Sequence, residues 1–283
     1  MRTCVGIVTR GRAELAEKAV ASALSQVPLP DLVWVIEDGV VGKPFEWEKD
    51  GPVCITRWSE PKGFMAGRHQ MMMETEADIY ISLDDDAWFL DPHAVAEAVK
   101  IIKNDSKVAA VAFDILSPDR PQKLKREQPL EVPMFVGCGH ALRVEAVRKV
   151  GSYEKMPGSY GGEERDLCLR LLEKGWKVVK LPGVHVWHDL TPMLRNLNQQ
   201  QSSSVTNDLF LIWMRSPLIV LLPCLIGSFV NHLKFAILNH YPLGPRISGL
   251  IEFIKAWPNL FLRRKAVSLS VWKKRHQAPS KYF

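Results

Sequence analysis

The chain has 283 residues, 47% of them apolar and 24% charged, which is enough for a sizeable core in one large domain or two small ones. Its five cysteines are scattered without a C-x-x-C pair, so neither a zinc site nor a disulfide framework is indicated, and a reducing, cytosolic compartment is expected. The net charge of +6 belongs to the tail: from Lys234 onward there are ten Lys or Arg and one acid, Glu252, leaving 27 basic and 30 acidic residues before it.

Arg10, Arg12 and Glu14 interrupt the first apolar run, so no signal peptide is expected. Residues 4–8, 33–36 and 79–83 are short, branched apolar runs that stop at polar or glycine residues, the pattern of buried parallel strands. Helices are predicted over 14–25, 65–76 and 93–104, and a further strand over 108–113. Strands alternating with helices predict a doubly wound α/β sheet. The segment Val136-Gly137-Cys138-Gly139-His140 reads as a tight turn or strand edge, and 141–150 as a helix. Residues 167–174 continue a helix from the acidic cluster at 163–166 and are closed by Gly175. Two short strands, 178–181 and 184–187, are predicted on either side of a Pro182-Gly183 turn. Residues 196–207 are polar and read as a linker. Residues 209–238 are heavily apolar but carry Arg215, Pro217 and Pro223, which favours helices lying in a membrane interface over a regular spanning helix. Arg263-Arg264-Lys265 and Lys273-Lys274-Arg275 would assist there. The alternative is an ordinary helical subdomain. The expected organisation is thus 1–195 as the main domain, 196–207 as linker and 208–283 as a helical, membrane-associating region.

In doubly wound sheets ligands gather beyond the carboxyl ends of the strands. Thr9-Arg10-Gly11-Arg12, Glu37-Asp38-Gly39 and Asp84-Asp85-Asp86 each follow a strand and are expected along one crevice. Alternate carboxylates, Asp84 and Asp86, can turn to the same side of an extended segment and suit Mg²⁺ or Mn²⁺ shared with phosphates. A solvated loop is the plainer account of the triplet. Asp38 can accept from a nucleobase or ribose, or can simply mark a turn. Arg68, near a helix start, is placed to neutralise a phosphate. Glu163, Glu164 and Asp166 either complement a helix dipole or supply a general base. His188, at a strand end, can complete a metal site begun by Asp86.

In this order the motifs resemble family 2 nucleotide-sugar glycosyltransferases of the GT-A fold. The segments that carry the resemblance are Val5–Arg12, Val35–Gly39, Pro61–Arg68, Leu83–Ala87, Gly162–Arg170 and Val186–His188, within residues 3–190. The resemblance implies a GT-A type Rossmann-like sheet, an inverting sugar transfer, and a glycan or lipid-linked acceptor. It implies Thr9, Arg12, Asp38, Arg68, Asp84 and Asp85 around the nucleotide-sugar donor. It further implies Asp86, Asp84 and His188 on the metal, and Glu164 as base with Glu163 its competitor. Gly11, Glu37 and Glu164 depart from the residues common at those positions. A cytoplasmic location, peripheral on the inner face of the cell membrane, is expected. Two rival classes are a nucleotidyltransferase, which usually has a glycine-rich loop followed by lysine, and a binding module using the basic tail. The tail shows no base-stacking pattern, so no nucleic-acid partner is expected.

Overall fold

A computed structural model describes residues 1–48, 51–121, 125, 127–191, 193 and 196–274. The amino-terminal part builds β1 (Thr3–Thr9), α1 (Ala13–Leu24), β2 (Leu32–Glu37), β3 (Val53–Arg57), α2 (Phe64–Glu74) and β4 (Ile79–Asp84). These four strands pair parallel in the order β3-β2-β1-β4. Strands covered on both faces read as near-continuous apolar runs, which is why β1 and β4 were legible. Two core clusters lie on opposite faces of the sheet. One gathers Val5, Ile7 and Val35 with Ala16 and Val20 of α1, and the other gathers Cys4, Ile36 and Tyr80 with Met71 and Met72 of α2.

The chain continues through β5 (Ala87–Phe89), α3 (Ala94–Asn104), β6 (Val108–Leu116), β7 (Leu130–Glu131), β8 (Gly139–Arg143), α4 (Val144–Lys149), α5 (Glu163–Glu173) and β9 (Lys177–His188). The sheet is mixed, not uniformly parallel: β8 lies antiparallel between β4 and β6. Its Gly-His-Ala-Leu-Arg sequence has no β-branched residue to advertise a strand. Gly139 is needed because a Cβ there would lie 3.1 Å from both Ile115 and Val186.

Residues 178–181 and 184–187 are not two strands about a turn but parts of β9. Pro182 and Gly183 sit where the β6–β9 register shifts, between Ala112 and Asp114. Pro has no N–H for the ladder, and a register irregularity removes the need for one. Asp114 holds this irregularity by accepting from Gly183 N at 2.5 Å and pairing with Lys180 Nζ at 2.7 Å.

The carboxy-terminal part is helical: α6 (Leu197–Arg215), α7 (Leu218–Leu238), α8 (Gly244–Leu260), a 3-10 turn at Phe261–Arg263 and α9 (Leu269–Lys274). The expected linker is the first half of α6. Of its polar residues, Ser203, Thr206 and Asn207 are buried and hydrogen-bonded. Asn207 donates to the carbonyls of Gly158, Tyr160 and Gly161, and Thr206 donates to that of Gly249. Asn196 caps the helix by accepting from Gln199 N at 3.1 Å. The helical unit is fastened to the sheet domain by Arg215, whose Nε donates to Asp166 Oδ1 at 2.6 Å with both groups buried.

The prolines do not break α7. Pro217 stands just before its first turn, and Pro223 falls where Ile219, whose carbonyl loses its partner, is exposed. This 21-residue helix is long and apolar enough to cross a membrane, and its most apolar window is not buried in the protein. Arg275 of the predicted second basic cluster lies outside the described residues.

Candidate active site

Parallel pairing sets Val8 against Asp84 and Thr9 against Glu37, so the ends of β1, β2 and β4 open at one edge. After β4 the aspartates turn directly into β5, which runs antiparallel to β9 with Ala87 opposite His188. The Asp189 N–H donates to the Asp86 carbonyl at 2.9 Å. Strand pairing alone therefore brings His188 to the aspartates across a hundred residues of sequence.

One potential ligand atom from each of Asp84, Asp86 and His188 lies within 4.8 Å of the others. His188 Nε2 stands 3.3 Å from Asp86 Oδ1 without hydrogen-bond geometry. Two carboxylates and an imidazole nitrogen suit a divalent cation. The donor set and the spacing thus fit Mg²⁺ or Mn²⁺.

Asp85 turns the other way. It accepts from Thr9 Oγ1 at 2.8 Å and Arg12 Nε at 2.9 Å, and its second oxygen lies 2.5 Å from Arg12 Nη2. Burial pushes its pKa up to about 7, against the pull of Arg12 and the Thr9 hydrogen bond. Thr9 and Asp85, expected at the donor, are thereby committed to each other. Arg12 is also engaged, with Nη1 3.4 Å from Asp86 Oδ2, and it locks the turn from its outer side. Asp38 is likewise occupied, because its carboxylate accepts from Lys62 N at 2.6 Å and Gly63 N at 3.0 Å. It thus ties the end of β2 to the start of α2.

Arg68 is not exposed to a phosphate. It is 4% exposed and spans Asp84 Oδ1 at 2.5 Å, the Gly137 carbonyl at 3.0 Å, Glu163 Oε1 at 3.3 Å and Glu164 Oε1 at 3.5 Å. It is a positioning residue that couples the aspartate turn to the acids of α5. Glu163 is buried. Burial and then the Glu164 charge push its pKa well above the usual carboxylate range, so the protonated acid is favoured. Glu164 retains more access, with 16% of its side chain exposed. Asp166 is removed from the catalytic set, because it is fully buried between Arg170 Nε at 2.7 Å and Arg215 Nε at 2.6 Å.

Two contributors escaped the sequence reading. Gly137 passes so close to Glu164 that a Cβ would sit 1.9 Å from Oε1. His140 stacks on Phe135 at 4.0 Å and shares a hydrogen bond with Tyr153 Oη at 2.9 Å beneath Arg68. The pair of glycines around Cys138 was the only signal available for either.

An uncharacterized protein of Haemophilus influenzae is 33% identical over 105 residues, covering 33% of this chain and 57% of that protein. The crystal structure of GalNAc-T7 with UDP, GalNAc and Mn²⁺ superposes with a TM-score of 0.61 at 16% identity, covering 77% of this chain and 48% of that one. S. aureus TarS 1-349 in complex with UDP-GlcNAc superposes with a TM-score of 0.63 at 11% identity, covering 94% and 82%. The chain thus spans about half the length of the first two of these proteins, and the solved structures establish a shared fold. Residues 4–151, just over half of the chain, match the family described as Glycosyl transferase family 2. This covers the sheet edge and the aspartate turn, and the chain belongs to that family.

Proposed function

We propose that this protein moves a sugar from a nucleoside-diphosphate donor to a hydroxyl of a glycan or lipid-linked acceptor, with inversion and with a divalent cation. The observation that carries the reading is the convergence of Asp84, Asp86 and His188 at the sheet edge, joined through Arg68 to Glu164. The neighbours GalNAc-T7 and TarS, solved with UDP or UDP-GlcNAc, support a nucleotide-sugar donor, and the Mn²⁺ with GalNAc-T7 supports the cation. Asp84, Asp86 and His188 would hold Mg²⁺ or Mn²⁺, which when bound offsets charge growing on the diphosphate leaving group.

The chain's own groups account for the other half of the reaction. Glu164 accepts the proton as the acceptor oxygen bonds to the anomeric carbon. The bond from that carbon to the diphosphate breaks on the opposite face and its electron pair leaves with the phosphate, so configuration inverts. Arg68 fixes the distance between the two halves, and such positioning supplies much of the rate. Burial disfavours the ionised form of Glu163, which makes the more accessible Glu164 the better base.

The membrane part of the reading rests on α7 and α8. Leu222 and Ile226 of α7 and Ile254 of α8 are each more than half exposed, with Arg263, Arg264 and Lys265 following. An apolar face with an adjacent basic cluster favours an anionic membrane surface, on its cytoplasmic side.

The base assignment is tested by single-turnover transfer assays with Mn²⁺. Glu164→Gln should retain donor binding and lose about 10²-fold or more in rate. Loss of transfer in Glu163→Gln with an active Glu164→Gln would reverse the assignment.

A further inference from the structure

Behind α5 the helices line a separate cavity of about 950 Å³ that opens to solvent, bordered by α5, α6, α7 and α8. That volume lies within the range of small-molecule sites. Two charged groups on its wall are already compensated, since Asp208 pairs with Arg165 and with His232 Nε2 at 2.8 Å. Arg246, in the first turn of α8, is not. It is 4% exposed, yet its Nη1 reaches only the Gln201 carbonyl at 3.4 Å and its Nε has no acceptor. Among the described residues no carboxylate supports it, and burial lowers its pKa.

A cation taken out of water without a counter-charge is costly, and an anion entering the cavity would remove that cost. Phosphate matches the guanidinium fork in geometry and charge. The remaining wall favours an apolar companion to the phosphate. Leu211, Ile212 and Phe235 line it, and Phe235 lies 5.8 Å from the Arg246 guanidinium. Leu222, Ile226 and Val230 form an exposed stripe along α7, the helix that also borders the cavity through Cys224 and Gly227. A free phosphate would use only the cation, whereas an amphipathic phosphate uses both features.

We propose that this cavity binds the phosphate-bearing end of an amphipathic lipid, with Arg246 gripping the phosphate and the chains lying along the apolar wall toward α7. The site is distinct from the aspartate cleft, and its occupancy does not depend on the sugar-transfer reading.

The test is calorimetric titration of the full-length protein with three probes: dihexanoyl phosphatidate, dihexanoylglycerol and inorganic phosphate. Phosphatidate should bind about tenfold or more tightly than either of the others. Arg246→Met keeps the stem that packs and should reduce phosphatidate binding by about tenfold or more, with a melting temperature no lower than the parent's. A second variant fills the space from another side. A Cβ on Gly227 meets no atom within 4 Å, so Gly227→Trp should fold and block the lipid. Equal binding of dihexanoylglycerol, or undiminished phosphatidate binding by both variants, would overturn the proposal. Inorganic phosphate binding as tightly as phosphatidate would overturn the lipid assignment and leave a free-anion site.

Discussion

Asp84 and Asp86 serve the cleft because Asp85, between them, does not. Thr9 and Arg12 draw Asp85 into the protein, while the turn at residues 85 and 86 leaves Asp84 and Asp86 within reach of His188. On α5, Glu163 is buried against Arg68 while Glu164 keeps more access, which is why Glu164 is the proposed partner of an acceptor. Gly137 controls where that carboxylate sits. Gly137→Ala would place a methyl group on Glu164 Oε1, and a flexible side-chain end gives way more readily than backbone. The variant should therefore fold with an unchanged melting temperature and lose about 10²-fold in kcat. Unchanged kcat would mean that Glu164 does not act from its observed position.

At the scale of elements, the parallel core was legible because a strand buried on both faces writes itself as an unbroken apolar run. Residues 4–8 and 79–83 fall within β1 and β4, and 14–25 overlaps α1 to within a residue at each end. The mixed part was not legible. β8 has no β-branched residue, β5 is three residues long, and β9 carries a Pro-Gly pair that ordinarily signals a turn. Polar burial misled in the same way. The Gln- and Ser-rich start of α6 looked like a linker because its partners, the carbonyls of residues 158–161, are distant in sequence. The site shared this division. Asp84, Asp86 and His188 were legible as a cluster from strand ends, while Arg68 as a hub and Asp166 as an ion-pair partner needed the packing of α5 on α6. Breaking that packing has a measurable cost. Asp166→Asn removes the charge that Arg170 and Arg215 share in the interior, leaving Arg215 only Glu154 at 3.4 Å, and should lower stability by about 3–5 kcal/mol in urea titrations. A change under about 1 kcal/mol, the size expected of a surface pair, would show that the two units are held together by other contacts.

The whole molecule joins the sheet edge that carries the aspartate turn to a helical unit whose outer side is apolar and basic. Leu222 and Ile226 are 65% and 57% exposed and belong to no core cluster, so replacing them tests membrane contact with little disturbance of the fold. Leu222→Asp with Ile226→Asp should shift the protein from vesicles containing anionic lipid to the supernatant while its melting temperature stays the same. Equal sedimentation of parent and variant would remove α7 as the contact. The central claim, however, concerns the sheet edge, and it is tested most directly by Mn²⁺ titration in the presence of UDP or GDP, followed by electron paramagnetic resonance. The account predicts saturable Mn²⁺ binding by the parent, weakened about tenfold or more by Asp86→Ala and by His188→Ala with the fold retained. Mn²⁺ binding that is the same in all three proteins would contradict it.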